Sequence, residues 1–148
     1  MGTFDHADWH KDILPDAAVT HIAMFVGWAI TRDLIAKEHR DDPNAAWYIE
    51  RIKAREKTAR DFTIDMCRSR LTEADLSPEG CSFAASYYNR YLQDYARVFI
   101  EALSIYEVED TLESFDRIAR ILDRRLAAWK RWREKHGDRL PPIASERS

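Results

Sequence analysis

The chain has 148 residues, of which 45% are hydrophobic and 33% charged, and a net charge of −3. A chain of that length suits one domain with a core large enough to hold without a metal or a disulfide. The negative balance argues against a nucleic-acid partner, whose binding domains carry a basic footprint, and only 4 glycines supply few of the tight turns that a many-stranded sheet needs.

The first fourteen residues are polar and aromatic and are expected to form an ordered arm rather than a helix. They show no basic region followed by an apolar one, so they do not read as a signal peptide. Cys67 and Cys81 are the only cysteines, which predicts reduced thiols and a cytoplasmic location. From Ile22 to Ile30 the sequence IAMFVGWAI has no polar side chain. On a 100° wheel its apolar residues fall on both sides, which predicts a helix over about 16–36 at the centre of a core. The run is well short of the about 20 apolar residues that cross a bilayer, so no membrane partner is expected.

Residues 37–43, KEHRDDP, read as a solvated connection before a second helix over about 44–55, with Trp47, Tyr48 and Ile52 on its apolar side. A third helix over about 58–70 uses Phe62, Met66 and Cys67. Thr72 and Asp75 have the spacing of a capping box. A fourth helix over about 81–103 carries Phe83, Tyr87, Tyr91, Tyr95, Val98 and Phe99 as one stripe, a core pattern before it is a stacking platform. Residues 104–110 read as extended or turn-like. The last helix, about 111–136, ends at Gly137 in the position favoured for a helix stop, and residues 138–148 read as a flexible tail. The expected fold class is all-α: a single-domain helical bundle of about five helices around the central one, occupying residues 15–137.

Charge is split along the last helix. Glu107, Glu109, Asp110, Glu113 and Asp116 precede a base-rich half from Arg117 to Lys135. Helix-dipole matching explains the order. Five acids exceed what it needs, so these five residues are the candidate surface for a cationic protein partner. His6, Asp8, His10 and Asp12 alternate in the arm, and an extended backbone would put all four on one face. With His21 they are an alternative metal-ligand set. The HADWHKD segment supplies no rigid frame for one, so the primary expectation is no metal and no cofactor. No nucleophile elbow or glycine-rich phosphate loop is present, which weighs against an enzyme.

Trp9-His10, Leu14-Pro15, Thr20-His21-Ile22 and Phe25 through Trp28, followed by FTIDMCRSRLTEADLSPEGCSFAASYY, YLQDY and YEVEDTLESFDRI, resemble an uncharacterised family of small bacterial proteins, the domain of unknown function 7832. The resemblance spans roughly residues 8–129 and departs in a shorter spacer between His10 and Leu14. It implies no reaction. By analogy with other small acidic bacterial proteins, the leading expectation is a protein-binding module, an immunity protein that neutralises a toxin or effector through its acidic surface. The alternative is a small metal-dependent enzyme or metal-binding protein using the arm and His21.

Overall fold

The computed structural model describes residues 2–10 and 15–137. It is predominantly α-helical, as expected, with one small two-stranded sheet. The elements are β1 (Thr3–His6), a 3-10 turn (Ala7–Trp9), α1 (Pro15–Thr31), α2 (Lys37–Asp41), α3 (Pro43–Lys53), α4 (Arg60–Cys67), β2 (Arg70–Thr72), a 3-10 turn (Glu73–Asp75), α5 (Pro78–Val98), a 3-10 turn (Ile105–Glu107) and α6 (Leu112–His136).

Helix α1 is the axis. Val19, Ile22, Val26, Trp28 and Ile30 are fully buried, and Phe25 nearly so. A helix apolar on both sides has no solvent face to keep wet, and α1 accordingly meets α3, α4, α5 and α6 at once. Phe25 packs edge-on against Tyr88 and Tyr91, with ring centroids 5.1 and 5.3 Å away. The one polar atom of Trp28 donates to Asp123 of α6 at 2.8 Å, which satisfies a buried N–H that would otherwise cost a lost hydrogen bond.

The helix ends differ from the sequence expectation, for a common reason. Helix α1 stops at Thr31 rather than near 36. Asp33 takes a left-handed conformation, φ 59°, while Leu34 N–H donates to Ala29 O at 2.8 Å and Asp33 N–H to Ile30 O at 3.2 Å. This is a Schellman stop with aspartate where glycine is usual. Arg55, φ 63°, ends α3 in the same way through Glu56 N–H to Arg51 O, and Arg68 ends α4. Residues 37–41 are a short helix, not a connection. Asp42 then caps α3 by accepting from the Asn44 and Ala45 N–H groups.

The Thr72–Asp75 capping box forms, and Ser77 caps α5 three residues before the expected start. The fourth-helix stripe is buried, apart from the half-buried Val98. Trp47 corrects the expectation of an apolar contact. It is 49% exposed and lies under the Arg51 guanidinium, 4.1 Å from the ring centre, a cation–π contact that keeps a large apolar ring at the surface. Close approach explains Gly80. A Cβ there would lie 2.7 Å from Leu34 O, the same carbonyl that accepts from Ser77 N–H at 2.8 Å. The expected tail, 138–148, lies outside the described residues.

The two strands pair antiparallel, Asp5 opposite Leu71 and His6 opposite Arg70, with a register shift between Thr3 and Asp5. Irregularities of this kind re-aim a side chain. Here Asp5 is buried while Thr3 is exposed. The strand ends where Ala7 N–H donates to Ser69 O, and the 3-10 turn then carries the chain to His10.

Candidate functional site

Asp5 is 4% exposed and lies at the centre of a polar cluster drawn from four parts of the chain. Its Oδ1 accepts from His10 Nε2 at 2.9 Å and from His6 N–H at 2.8 Å. Its Oδ2 accepts from His21 Nε2 at 2.9 Å and from the Tyr88 hydroxyl at 2.8 Å. His10 Nδ1 lies 2.6 Å from the Tyr106 hydroxyl. The two imidazoles meet edge to face, 4.6 Å between centroids. Tyr91 donates to the backbone carbonyl of His21 at 2.7 Å and so anchors the first turns of α1 to α5.

The protons follow from the carboxylate. Burial by itself would raise the Asp5 carboxyl, but the His21 hydrogen bond and charge, with the His10 and Tyr88 hydrogen bonds, hold it below the ordinary value. An ionised carboxylate only accepts. Each histidine therefore presents Nε2–H to Asp5. In the Nε2–H tautomer of His10, Nδ1 accepts the Tyr106 O–H. His21 Nδ1 is fully buried and has no hydrogen-bond partner among the described residues. Burial and the Asp5 charge push the Tyr106 phenol up, so it holds its proton. Tyr88 is pushed well up, chiefly by burial, with Asp5 adding to it.

The donor atoms of Asp5, His10 and His21 lie within 4.8 Å of one another. Two imidazoles and a carboxylate form a donor set typical of divalent transition metals, with coordination positions left over. The two 2.9 Å Asp5–His distances run to different carboxylate oxygens, His10 to Oδ1 and His21 to Oδ2, so both imidazoles face the one carboxylate.

Of the alternative ligand set, His10 and His21 come together and His6 and Asp8 do not. The alternation fails because residues 7–9 coil into a 3-10 turn, where His6 Nδ1 accepts from Asp8 N–H as its cap. The Asp8 side chain is 90% exposed. Asp12 lies outside the described residues. Sequence reasoning missed Asp5, Tyr88 and Tyr106. Asp5 is out of phase with the even-numbered alternation, and only the strand irregularity turns it inward. Tyr88 sits beside the stripe residue Tyr87, a hint that α5 buries more than one line of side chains.

The five acidic candidates divide. Asp116 is bound by both Arg55 nitrogens at 2.9 Å, and Asp110 accepts from the Thr58 hydroxyl at 2.8 Å. Glu107, Glu109 and Glu113 are exposed around a groove floored by Phe99 and Val108.

The fold and the cluster define a small helical protein with a buried histidine–aspartate–tyrosine centre beside its axial helix. The chain belongs to the family described as a domain of unknown function, DUF7832, whose model matches residues 3–108. No curated protein and no solved structure matches it. All five cluster residues fall inside the matched span, and four of the five acidic candidates fall beyond it. No helix among the described residues is long and apolar enough to cross a membrane.

Proposed function

We propose that the protein is metal-dependent, with Asp5, His10 and His21 as ligands to a divalent transition-metal ion. The carrying observation is the convergence of His10 Nε2, His21 Nε2 and the Asp5 carboxylate within 4.8 Å of one another in a buried site. Binding exchanges hydrogen bonds for coordination. Each imidazole would coordinate through Nε2 and carry its proton on Nδ1, where His10 has the Tyr106 oxygen as an outer partner of the kind that orients metal-bound histidine and His21 has no acceptor among the described residues. Tyr88 remains a donor to the carboxylate. Positions not filled by protein take water, whose pKa a divalent ion lowers toward neutrality. Tyr106, half-buried at the edge of the cluster, would hold the His10 ring in place by accepting its Nδ1–H. An ion held there would supply the chemistry of metal-assisted hydrolysis or hydration.

The test is calorimetric titration with manganese, which suits nitrogen and oxygen ligands. The expected result is one ion per chain, lost in His10→Ala and kept in Cys67→Ser. The His10 side chain is 11% exposed, so circular dichroism checks the fold of that variant before titration. No binding by the folded wild type, or equal binding by His10→Ala, removes the proposal.

A second reading rests on a different observation, the three exposed glutamates around the Phe99–Val108 groove. Under it the protein is a bacterial, cytoplasmic immunity-type partner that captures a cationic toxin or effector. Complementary charge chiefly speeds association and weakens with salt. Reversing Glu109 and Glu113 to lysine should slow capture of such a partner at low salt, and an unchanged association rate discards this surface.

A further inference from the structure

A second cluster draws on α2, α4 and the turn after β2. His39 comes from the five-residue helix α2, Cys67 is the last residue of α4, and Asp75 ends the 3-10 turn after β2. His39 Nε2 is 2.9 Å from Asp75 Oδ1 and 3.9 Å from Cys67 Sγ. The three donor atoms lie within 4.8 Å of one another. Cys67 and Asp75 are buried, and His39 keeps 13% of its side chain exposed. The carboxylate is oriented from behind: Asp75 Oδ2 accepts from Thr72 N–H at 2.9 Å and from its hydroxyl at 3.1 Å. That leaves Oδ1 for the cluster. The Phe62 ring lies edge to face with His39, 5.2 Å away.

The thiol has no use as a nucleophile here. Burial, with the charge of Asp75, pushes Cys67 well up, and reactive cysteines are exposed and acidic. A coordinating divalent cation reverses that balance and deprotonates a thiol outright. Sulfur, imidazole and carboxylate together are a zinc set. Tetrahedral zinc at its usual bond lengths would put nitrogen and oxygen about 3.4 Å apart and sulfur and nitrogen about 3.6 Å apart. The observed separations of 2.9 and 3.9 Å reach these by shifts of half an ångström or less.

We propose that His39, Cys67 and Asp75 form a zinc site, distinct from the Asp5 centre, that clips α2 to α4 and to the turn after β2. On binding, the Cys67 S–H proton leaves to solvent and the thiolate takes the ion. The His39 proton moves from Nε2 to Nδ1. Water fills the fourth position on the open side of His39. The ion would reinforce links that already hold this five-residue helix, the His39–Asp75 hydrogen bond and the Ala36 N–H to Asp75 O bond.

Cobalt(II) titration of chelator-stripped protein separates this site from the Asp5 centre, which has no sulfur. The expected result is a thiolate-to-cobalt charge-transfer band in the near ultraviolet that is bleached by zinc and saturates at one equivalent in His10→Ala, where the Asp5 centre no longer competes for the ion. It should be lost in Cys67→Ser and retained in Cys81→Ser and His10→Ala. His39→Gln, at a half-buried position, should weaken cobalt binding about tenfold or more, and it decides the question if Cys67→Ser fails to fold. Absence of the band in folded wild type, its persistence in Cys67→Ser, or unchanged affinity in His39→Gln overturns the proposal.

Discussion

Replacing Asp5 with alanine tests the reading of the histidine centre most directly. The substitution removes a carboxylate that accepts from His10, His21 and Tyr88. It leaves His21 Nε2–H and the Tyr88 hydroxyl stranded, and those residues are 0% and 6% exposed. A buried donor left without an acceptor costs about 1–3 kcal/mol, so two cost about 2–6 kcal/mol. The His10 side chain is 11% exposed and keeps its contact with Tyr106, so it adds less. Tyr88→Phe removes a donor instead, strands nothing and leaves Asp5 its other partners, so it should cost about half as much as Asp5→Ala. Urea denaturation at neutral pH, followed by circular dichroism, measures both. If Asp5→Ala costs under about 1 kcal/mol, or less than Tyr88→Phe, the carboxylate is not the hub of the cluster. If the site is metal-bound, an ion at a hundred times its dissociation constant adds about 2.7 kcal/mol to the wild type and nothing to Asp5→Ala.

Phe25→Ala should cost about 3–5 kcal/mol, because the ring is 1% exposed at the crossing of α1 and α5; an unchanged denaturation midpoint would refute the central-helix assignment. Gly80→Ala should cost about 1–3 kcal/mol by overpacking, since the new Cβ meets backbone at Leu34 rather than a side chain that can yield; equal or greater stability on thermal melting would show that α5 can shift. Stability should fall in acid. Burial opposes ionisation of Asp5, Asp94 and Asp123, yet their partners hold all three carboxyls below the ordinary value: His21, His10 and Tyr88 for the first, Arg125 and Tyr87 for the second, Arg32 and Trp28 for the third. A depressed folded-state pKa contributes stability that is fully present above the unfolded value, about 3.9, and is lost as pH falls through the lower folded values. Denaturation midpoints should therefore hold down to about pH 5 and fall below it, and a flat profile to pH 2 would contradict the assigned pairs.

Local sequence determined the helices, because their signals are short-range. The two-sided apolar run made α1 the axis, the four-residue aromatic spacing fixed the buried line of α5, and Thr72, Asp75 and Gly137 marked their own boundaries. Helix ends made from left-handed Asp33, Arg55 and Arg68 were not legible, since those residues take that conformation only when neighbouring carbonyls and packing compensate its cost. Nor were the centres. His10 and His21 were candidates by residue type, but their shared ligand, Asp5, lay outside the alternation that suggested them. It reaches them because β1 pairs with β2, sixty-odd residues away, and because Tyr88 and Tyr106 close in from α5 and the turn beyond it. His39, Cys67 and Asp75 likewise share no spacing. Periodicity reports which side of an element is apolar, whereas a site built across elements depends on how those sides dock. That docking, through α1, is what the tertiary structure alone decided.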